Sequence, residues 1–352
     1  MTQVDSKPER ILITGNNGYI GSVMGPWFKR AGFDVVGLDS NLFQQCSLVP
    51  DKDNIPTIEK DLREVTPRDL DGFDAIVHLA ALSNDPIGNL REDWTRDINH
   101  TGSVRLARCA KQAGVKRFVF SSSCIMYGMS EVAEANEDAP LAPQTEYARS
   151  KVTAEAALSE LADDSFSPVF CRNGTVYGLS PRMRFDTVLN NLMGMAVSAG
   201  RVQVFSDGTP WRPVVHVQDV ARSFQTILEA PRADIHDQAF NMGADHLNHQ
   251  IADLARIVTE TVPGCTLEMV PQPGADQRTY KAGFGKFKRT FPAFQFLWTP
   301  RDGARELYEA FTRIGLTAAD FKDKRFTRLH WLRHLIDSGQ VDGQLRWAAM
   351  AA

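Results

Sequence analysis

Short apolar runs alternate in the first half of the chain with longer stretches whose apolar positions repeat at helical spacing. Such runs are typical of strands buried on both faces of a parallel sheet. The predicted strands lie at 11–14, 34–40, 75–80, 117–123 and 167–173. Segment 94–114 shows the helical repeat, and Gly114 is suited to end that helix. Alternating strands and helices predict an α/β fold built on a doubly wound parallel sheet.

The pattern changes near residue 178, and a chain of 352 residues is long enough for about two domains. We predict a first domain at 1–178, completed by a return segment at about 214–245. Residues 179–352 are predicted to form a smaller interleaved α/β lobe and C-terminal helices. Those helices are expected at 251–262, 301–314 and 326–337, where apolar residues again repeat at helical spacing.

Composition and charge narrow the class of protein. Hydrophobic residues make up 43% of the chain and charged residues 23%, which excludes disordered, collagen-like and coiled-coil sequences. Lys and Arg number 39 and Asp and Glu number 43, so the net charge is −4 and no polybasic surface for nucleic acid or membrane is expected. A small anionic ligand must therefore be held by a few placed cations or by backbone N–H groups.

Cysteine and histidine usage gives no sign of a disulfide framework or a metal site. The five cysteines are widely spaced and contain no C-x-x-C pair, which favours a reducing, cytoplasmic location. No stretch approaches the ~20 apolar residues that a membrane span requires. The pairs His246/His249 and His330/His334 lack a carboxylate or cysteine to complete a metal-ligand set, so we predict no bound metal.

A glycine-rich loop follows the first predicted strand. Gly15, Gly18 and Gly21 have the spacing G-x-x-G-x-x-G between strand and helix, which suits a tight turn, a close approach to pyrophosphate and close helix packing. Asp39 ends the second strand 18 residues after Gly21, where a carboxylate accepts hydrogen bonds from the adenosine ribose. That negative charge repels the extra phosphate of NADP, so NAD is the predicted cofactor. Asp61 suits the adenine amino group, with an exposed turn aspartate as the alternative.

Tyr147 and Lys151 are four residues apart on a predicted helix and therefore share one face. A phenol has an ordinary pKa of ~10 and is a poor base at neutral pH unless a neighbouring ammonium group stabilises the phenolate. Pairs of this kind are also common on helix surfaces. The serines at 121–123 favour the catalytic interpretation, because they end a strand at the edge where open α/β sheets bind ligands.

Together these motifs resemble the extended short-chain dehydrogenase/reductase family, in particular its NAD-dependent nucleotide-sugar epimerase/dehydratase branch. The resemblance covers most of residues 10–290. The motifs that carry it are T-G-x-x-G-x-x-G, HLAA at 78–81, SSS-x-x-x-Y-G at 121–128, Y-x-x-x-K and RNGTVYG at 172–178. It implies a Rossmann NAD-binding domain, a nucleotide-diphosphate sugar as substrate and a homodimer joined by a four-helix bundle from segments 94–114 and 145–162.

The same resemblance implies roles for individual residues. Ser123 hydrogen-bonds the sugar oxygen, Tyr147 accepts and returns the proton, and Lys151 binds the nicotinamide ribose. The implied cofactor-binding residues are Gly15, Asn17, Gly18, Tyr19, Ile20, Gly21, Asp39, Asp61, Leu62, Leu79, Ala80, Ala81, Asn99, Ser121, Tyr147 and Lys151. The implied substrate-binding residues are Ser83, Ser123, Cys124, Thr175, Arg182, Asn191, Arg212 and Arg278. Arg212 and Arg278 are expected on the diphosphate, by the bidentate geometry that guanidinium groups allow.

The residues after Ser123 narrow the expected chemistry. Sugar 4,6-dehydratases carry Asp-Glu there as acid and base, whereas this chain has Cys124 and Ile125, and sugar-acid decarboxylases favour glutamate at the second position. We therefore expect epimerisation at C4, with net reduction of a 4-keto sugar by NADH as the alternative. Cys124 as an acid/base of 3,5-epimerisation and a non-catalytic NAD-binding regulator are the other hypotheses. Thr175 and Pro213 depart from the family pattern and limit what can be said of the sugar.

Overall fold

The computed structural model describes residues 7–50, 53–83, 87, 91–129, 133–270, 272 and 278–348. The strands are β1 (Arg10–Thr14), β2 (Asp34–Asp39), β3 (Thr57–Glu59), β4 (Ala75–His78), β5 (Arg117–Ser123), β6 (Ser167–Asn173), β7 (Thr175–Tyr177), β8 (Arg201–Val204), β9 (Trp211–His216), β10 (Gln238–Met242), β11 (Asn248–Gln250) and β12 (Thr266–Met269). The helices are α1 (Gly21–Arg30), α2 (Glu92–Thr95), α3 (Ser103–Gln112), α4 (Glu146–Ser159), α5 (Val188–Ala199), α6 (Val217–Glu229), α7 (Arg232–Ile235), α8 (Ile251–Thr261), α9 (Gly285–Thr290), α10 (Pro300–Ile314), α11 (Ala318–Phe321) and α12 (Arg328–Asp337).

A seven-stranded parallel sheet in the order β10-β6-β5-β4-β1-β2-β3 forms the centre of the described structure. Successive strand residues face opposite sides of it. Ile11 and Ile13 pack with α1 and α6 on one side, whereas Leu12 packs with α3 and α4 on the other. Apolar residues at every position of the central strands are therefore buried by helices on both faces, and the predicted doubly wound α/β fold is confirmed.

The predicted helix at 94–114 is interrupted. The chain forms α2, then a π-helical segment (Arg96–Gly102), and only then α3. The π segment buries Asn99, whose side-chain amide accepts from the Leu82 N–H at 2.8 Å and donates to the Leu82 carbonyl at 3.0 Å. The wider turn thus serves a contact with the loop after β4, and π segments are often found at functional sites.

A smaller lobe is attached at the carboxyl edge of the sheet. It contains a three-stranded sheet, β11-β9-β7, and a two-stranded sheet, β12-β8. Apolar residues of α5, α8 and α10 form its core, among them Leu189, Leu254 and Leu307. The lobe is interleaved with the main sheet, because the chain leaves that sheet after β6 and returns to it at β10. The domain limits at residue 178 and at about 214–245 stay a prediction.

Two further observations concern the described chain as a whole. All five cysteines are free thiols. Among the helices of the described residues, none combines the length and apolarity that crossing a bilayer requires.

Candidate active site

A cavity of about 1140 Å³ opens where the carboxyl ends of the parallel strands meet the small lobe. Its walls come from the loops after β1, β2, β3 and β4, from the end of β5, and from the small lobe. This is the edge at which open α/β sheets bind ligands. The volume exceeds the ~300–1,000 Å³ of an ordinary small-molecule pocket, so it has room for a dinucleotide together with a second ligand.

The glycine loop forms one wall of the cavity. Gly15 has a φ of +74°, and a Cβ added there would lie 2.7 Å from the Ala80 backbone nitrogen. A Cβ at Gly21, the first residue of α1, would collide with the Gly15 carbonyl oxygen. Only glycine therefore allows the loop to lie against β4 and lead directly into a helix, whose N-terminal N–H groups favour phosphate.

Asp39 lies beside the glycine loop at the end of β2. Its carboxylate accepts hydrogen bonds from the backbone N–H groups of Asn17 at 2.9 Å and of Asn41 at 2.8 Å. Burial raises the pKa of Asp39, and these two hydrogen bonds oppose the shift. Asp39 also lines the cavity, so its remaining lone pairs can accept from ribose hydroxyl groups.

Asn17 itself does not line the cavity among the described residues, which differs from the expected direct contact. Its side chain donates to the Asn41 amide oxygen at 2.7 Å, and its backbone N–H holds Asp39. Asn99 is also absent from the lining because it is fully buried against Leu82. Both residues position their neighbours instead of facing a ligand.

Asp61 lies at the cavity wall, paired with an arginine that sequence reasoning overlooked. Arg63 donates to one Asp61 oxygen through Nε at 2.9 Å and to the other through Nη2 at 2.6 Å. Burial by itself raises the pKa of Asp61, but hydrogen bonds and charge from Arg63 lower it overall. An adenine amino group would thus share this carboxylate with Arg63. The position of Arg63 two residues after Asp61 was the sequence signal for this pair.

The remaining cofactor residues also line the cavity. They are Gly18, Tyr19, Ile20, Leu62, Leu79, Ala80, Ala81 and Ser121. The hydroxyl of Tyr19 points away toward the small lobe, where it donates to the Gly178 carbonyl at 2.7 Å and accepts from the Asn190 amide at 3.0 Å. That tyrosine therefore links the glycine loop to the small lobe.

Lys151 projects from α4 into the base of the site and is 3% exposed. Its ammonium donates to the Ser121 carbonyl at 2.7 Å and lies 4.5 Å from the centre of the Phe120 ring and 5.9 Å from the centre of the Tyr147 ring. Burial lowers the pKa of Lys151 to about 7, and the charge of Glu155 opposes this. The expected juxtaposition of Tyr147 and Lys151 on one helix face is present, and both side chains line the cavity.

Ser123 lines the cavity beside them at the end of β5. Its hydroxyl accepts from the Ile125 N–H at 3.3 Å. Asn173, which sequence reasoning left without a role, pairs with Ser123 in the parallel register of β5 and β6. The Asn173 amide donates to the Ser121 hydroxyl at 3.0 Å and to the Ser122 carbonyl at 3.2 Å. Its position at the end of the neighbouring strand was the signal for this supporting role.

His78 is a second supporting residue, at the start of the HLAA motif. Its ring lies between the hydroxyls of Thr14 at 2.6 Å and Ser103 at 2.7 Å. Burial and the charge of Lys151 lower the pKa of His78 to about 3. The ring is therefore neutral at physiological pH and fixes the ends of β1 and β4 below the glycine loop.

The small lobe contributes polar groups to the opposite wall. Thr175, Asn191, Arg212 and Arg278, which are expected to bind substrate, all line the cavity there. Arg212 donates to its neighbouring Trp211 carbonyl at 2.9 Å and to the Arg278 backbone carbonyl, which holds the two arginine-bearing segments together at the cavity wall. This part of the wall can therefore face an anionic group.

A third arginine, Arg184, lines the cavity from the small lobe. Ser83 lies at the rim, where its hydroxyl accepts from Arg184 at 2.9 Å. Arg184 is held by Asp186, with an Nε–Oδ1 distance of 2.8 Å.

The structure does not place Cys124 and Arg182 in the cavity, which corrects the expectation for both. Cys124 follows Ser123 and points to the other side of the chain, where its fully buried thiol donates to the Arg172 carbonyl at 3.1 Å. Burial raises the pKa of Cys124, which is unsuited to acid/base chemistry. Arg182 is 5% exposed and donates to the Ser47 hydroxyl, so its guanidinium supports a loop.

The site fits NAD on the evidence of its own residues. The glycine cradle excludes any Cβ where pyrophosphate must approach, the Asp39 carboxylate faces the space beside it, and Lys151 lies at the other end near Tyr147. Bound NAD would be held by these groups.

Comparison with known proteins agrees with this arrangement. Residues 11–243 match the NAD dependent epimerase/dehydratase family. The chain is similar to the UDP-glucose 4-epimerase of Corynebacterium glutamicum, with 28% identity over 83% of this chain and 91% of that protein. MoeE5, solved with UDP-glucuronic acid and NAD, is 25% identical with a TM-score of 0.74, over 86% of this chain and 99% of that one.

A dehydratase shares the fold as well. The dTDP-glucose 4,6-dehydratase DesIV of Streptomyces venezuelae, solved with NAD and TYD, has a TM-score of 0.76 at 22% identity, over 88% of this chain and 99% of that one. Glycine loop, serine, tyrosine and lysine thus stand at one cavity in a chain that matches the family over most of its length. The chain belongs to the NAD-dependent epimerase/dehydratase family of enzymes, with NAD as its cofactor.

Proposed function

We propose that the enzyme epimerises a nucleotide-diphosphate sugar at C4 and keeps NAD bound throughout. The observation that carries the proposal is the convergence of Ser123, Tyr147 and Lys151 at one wall, with the apolar Ile125 beside them. The similarity to a UDP-glucose 4-epimerase over 83% of the chain supports it.

The side chains divide the proton chemistry among them. Ser123 hydrogen-bonds the reacting sugar oxygen and orients it toward Tyr147. Tyr147 takes the hydroxyl proton as the carbonyl forms and returns it when the carbonyl is reduced, which is general acid–base catalysis by one group. The Lys151 ammonium, 5.9 Å from the centre of the tyrosine ring, stabilises the phenolate in a buried environment where charges interact strongly. Bound NAD supplies the hydride acceptor and donor.

Dehydration requires a second acid/base pair, which the described lining does not offer near Ser123. The aspartates among the described lining residues are Asp39, Asp61 and Asp186. The first two lie at the cofactor end, and Asp186 is paired with Arg184. Since Cys124 points away and Ile125 has no proton to exchange, a keto intermediate would be reduced again instead of losing water.

The arginines of the small lobe support a diphosphate substrate. Arg212 and Arg278 both line the cavity, and the Arg212 guanidinium donates to the Arg278 carbonyl. Guanidinium groups bind phosphate oxygens with two parallel hydrogen bonds, which lysine cannot reproduce. MoeE5 was solved with a UDP-sugar, and UDP-sugars are therefore the first substrates that we would offer.

The test is to incubate the purified, NAD-loaded enzyme with a panel of UDP-, dTDP- and GDP-sugars without added cofactor. We expect a C4 epimer to form, detected by NMR, with no net change in NADH absorbance. Tyr147→Phe should abolish conversion while NAD stays bound. Product formation only with stoichiometric NADH would instead identify a 4-keto sugar reductase, and a product lacking a hydroxyl would identify a dehydratase.

A further inference from the structure

The chain after α12 turns back and lies across loops that carry the adenosine end of the cofactor site. In residues 340–347, here called the C-terminal clasp, the indole N–H of Trp347 donates to the carbonyl of Ser40, directly after Asp39. The Gln344 carbonyl accepts from Arg63 at 2.8 Å, the arginine that holds Asp61. The clasp thus contacts the segments after both β2 and β3.

An ion pair strengthens the second of these contacts. Arg346 pairs with Glu64 and lies 4.0 Å from Asp61. The clasp is also folded on itself, because the Asp342 carboxylate accepts from the N–H of Gln344 at 2.8 Å and of Arg346 at 2.9 Å. Arg346 is therefore presented from a closed turn, which lowers the entropy cost of forming the pair.

The centre of the clasp lines the cavity itself. Leu345 is 1% exposed, lies in the cavity wall and packs in one apolar cluster with Leu42, Leu82 and Trp94. Its φ of +56° is a left-handed conformation that leucine rarely adopts, so the surrounding contacts determine it. The indole of Trp94 donates to the Gly343 carbonyl at 2.9 Å, which adds the helix before the π segment to the elements held together.

We propose that the C-terminal clasp retains NAD by holding these loops closed around the adenosine half. Asp39 and Asp61 face that half. The clasp is one continuous segment that contacts Ser40, directly after Asp39, and Arg63, two residues after Asp61. NAD can then leave only when the Trp347 and Arg346 contacts break together. Trp347 and Arg346 are positioning residues, since they act through Ser40 and through Glu64 and Asp61.

Retention agrees with the chemistry proposed above, and in that respect it rests on the proposed function. An enzyme that returns NAD to its starting redox state in each turnover has no need to exchange the cofactor. The test measures NAD release without any sugar, so a failure of the clasp leaves the epimerase proposal standing, and the reverse also holds.

The experiment compares Trp347→Ala, Arg346→Ala and a control, Arg301→Ala. Arg301 forms an exposed pair with Glu260 at 2.6 Å on the small lobe, and neither residue is among those that line the cavity. Bound NAD is exchanged for labelled NAD, and the dissociation rate is followed by filtration. We expect release at least tenfold faster in both clasp variants, and purified protein that needs added NAD for full activity.

Two conservative variants separate positioning from a general loss of structure. Trp347→Phe keeps the ring but loses the indole donor, and we expect faster release from it at an unchanged unfolding temperature of the NAD-free protein. Arg346→Lys keeps the charge opposite Glu64 and should restore most of the retention. Dissociation rates within twofold of Arg301→Ala in both Trp347→Phe and Arg346→Ala would overturn the proposal.

Discussion

At the scale of single residues, Lys151 is buried where its positive charge is unfavourable, and the proposed chemistry uses that charge. It is 3% exposed, and its described hydrogen bond goes to the Ser121 carbonyl. Burial lowers its pKa to about 7 because the charged form loses hydration. A phenolate on Tyr147 favours the charged form again, so the reaction itself supplies a partner for the buried charge.

This shift predicts how stability depends on pH. Between pH 7 and 10.5 the unfolded chain keeps a proton on Lys151 that the folded chain has lost, so raising the pH favours the folded state. Below pH 7 both states carry the proton, so this dependence of stability on pH is absent there. In NAD-free Lys151→Met we expect the rise in unfolding free energy over this range to be absent, measured by urea denaturation at several pH values. The same variant should lose roughly 10²–10⁴-fold in turnover.

An unchanged pH profile in Lys151→Met would contradict the assigned shift. Lys111, a half-buried lysine paired with Asp163 at 2.6 Å, is the control, since Lys111→Met leaves the buried ammonium of Lys151 in place. We expect that variant to keep the wild-type slope between pH 7 and 10.5.

At the scale of elements, the glycine loop joins a strand to a helix without room for a side chain. Two glycine-to-alanine substitutions distinguish the effect of a steric collision from the effect of backbone strain. Gly15 and Gly32 both have positive φ values, +74° and +89°, but a Cβ at Gly32 meets nothing within 4 Å. Gly32→Ala should therefore cost only the left-handed conformation, roughly 1–2 kcal/mol of unfolding free energy.

Gly15→Ala should lower the unfolding free energy by more than Gly32→Ala does, because the added Cβ collides with Ala80. The variant should also bind NAD more weakly, because relief of that collision moves the glycine loop away from the position of the phosphates. Thermal unfolding and NAD content of the purified variants provide the measurement. Equal stability and equal NAD content in the two variants would show that the close approach at Gly15 has no role.

The sequence predicts some elements better than others, because some depend on their own residues and others on contacts with distant parts of the chain. Strands such as β5 and β6 are predicted to the residue, because each contains its own continuous run of buried apolar side chains, Phe118–Phe120 and Val169–Cys171. The π segment is not predicted, since Asn99 gains its partner, Leu82, from another loop. The direction of Cys124 depends on a 3-10 turn, Cys124–Tyr127, that begins directly after Ser123. The clasp joins Trp347 to Ser40 across 307 positions, a contact that local pattern does not reveal.

At the scale of the whole molecule, the outer face of α4 has small side chains at its centre, between the exposed Arg149 and Glu160. Ala156 is exposed there, and Val152 is half-buried one turn earlier. The opposite face of α4 is fixed to the π segment, where the Asn99 amide donates to the Ser150 hydroxyl at 3.2 Å. A helix face with small side chains at its centre suits the homodimer that the sequence resemblance implies.

We expect the wild-type protein to be a dimer and Ala156→Arg to be a monomer, because a symmetric interface buries each added charge twice. Light scattering after size-exclusion chromatography gives the mass directly. Ala233→Arg, at an exposed position of α7, is the control and should stay dimeric. A monomeric wild-type protein would refute the prediction.

The hydrogen bonds of Tyr19 connect the two ligand sites mechanically. This residue belongs to the glycine loop, yet its hydroxyl is fixed by Gly178 and Asn190 of the small lobe. A displacement of the small lobe would therefore be transmitted to the glycine loop through Tyr19. Coupling of this kind is reciprocal: whatever factor the sugar adds to the affinity for NAD, NAD must add to the affinity for the sugar.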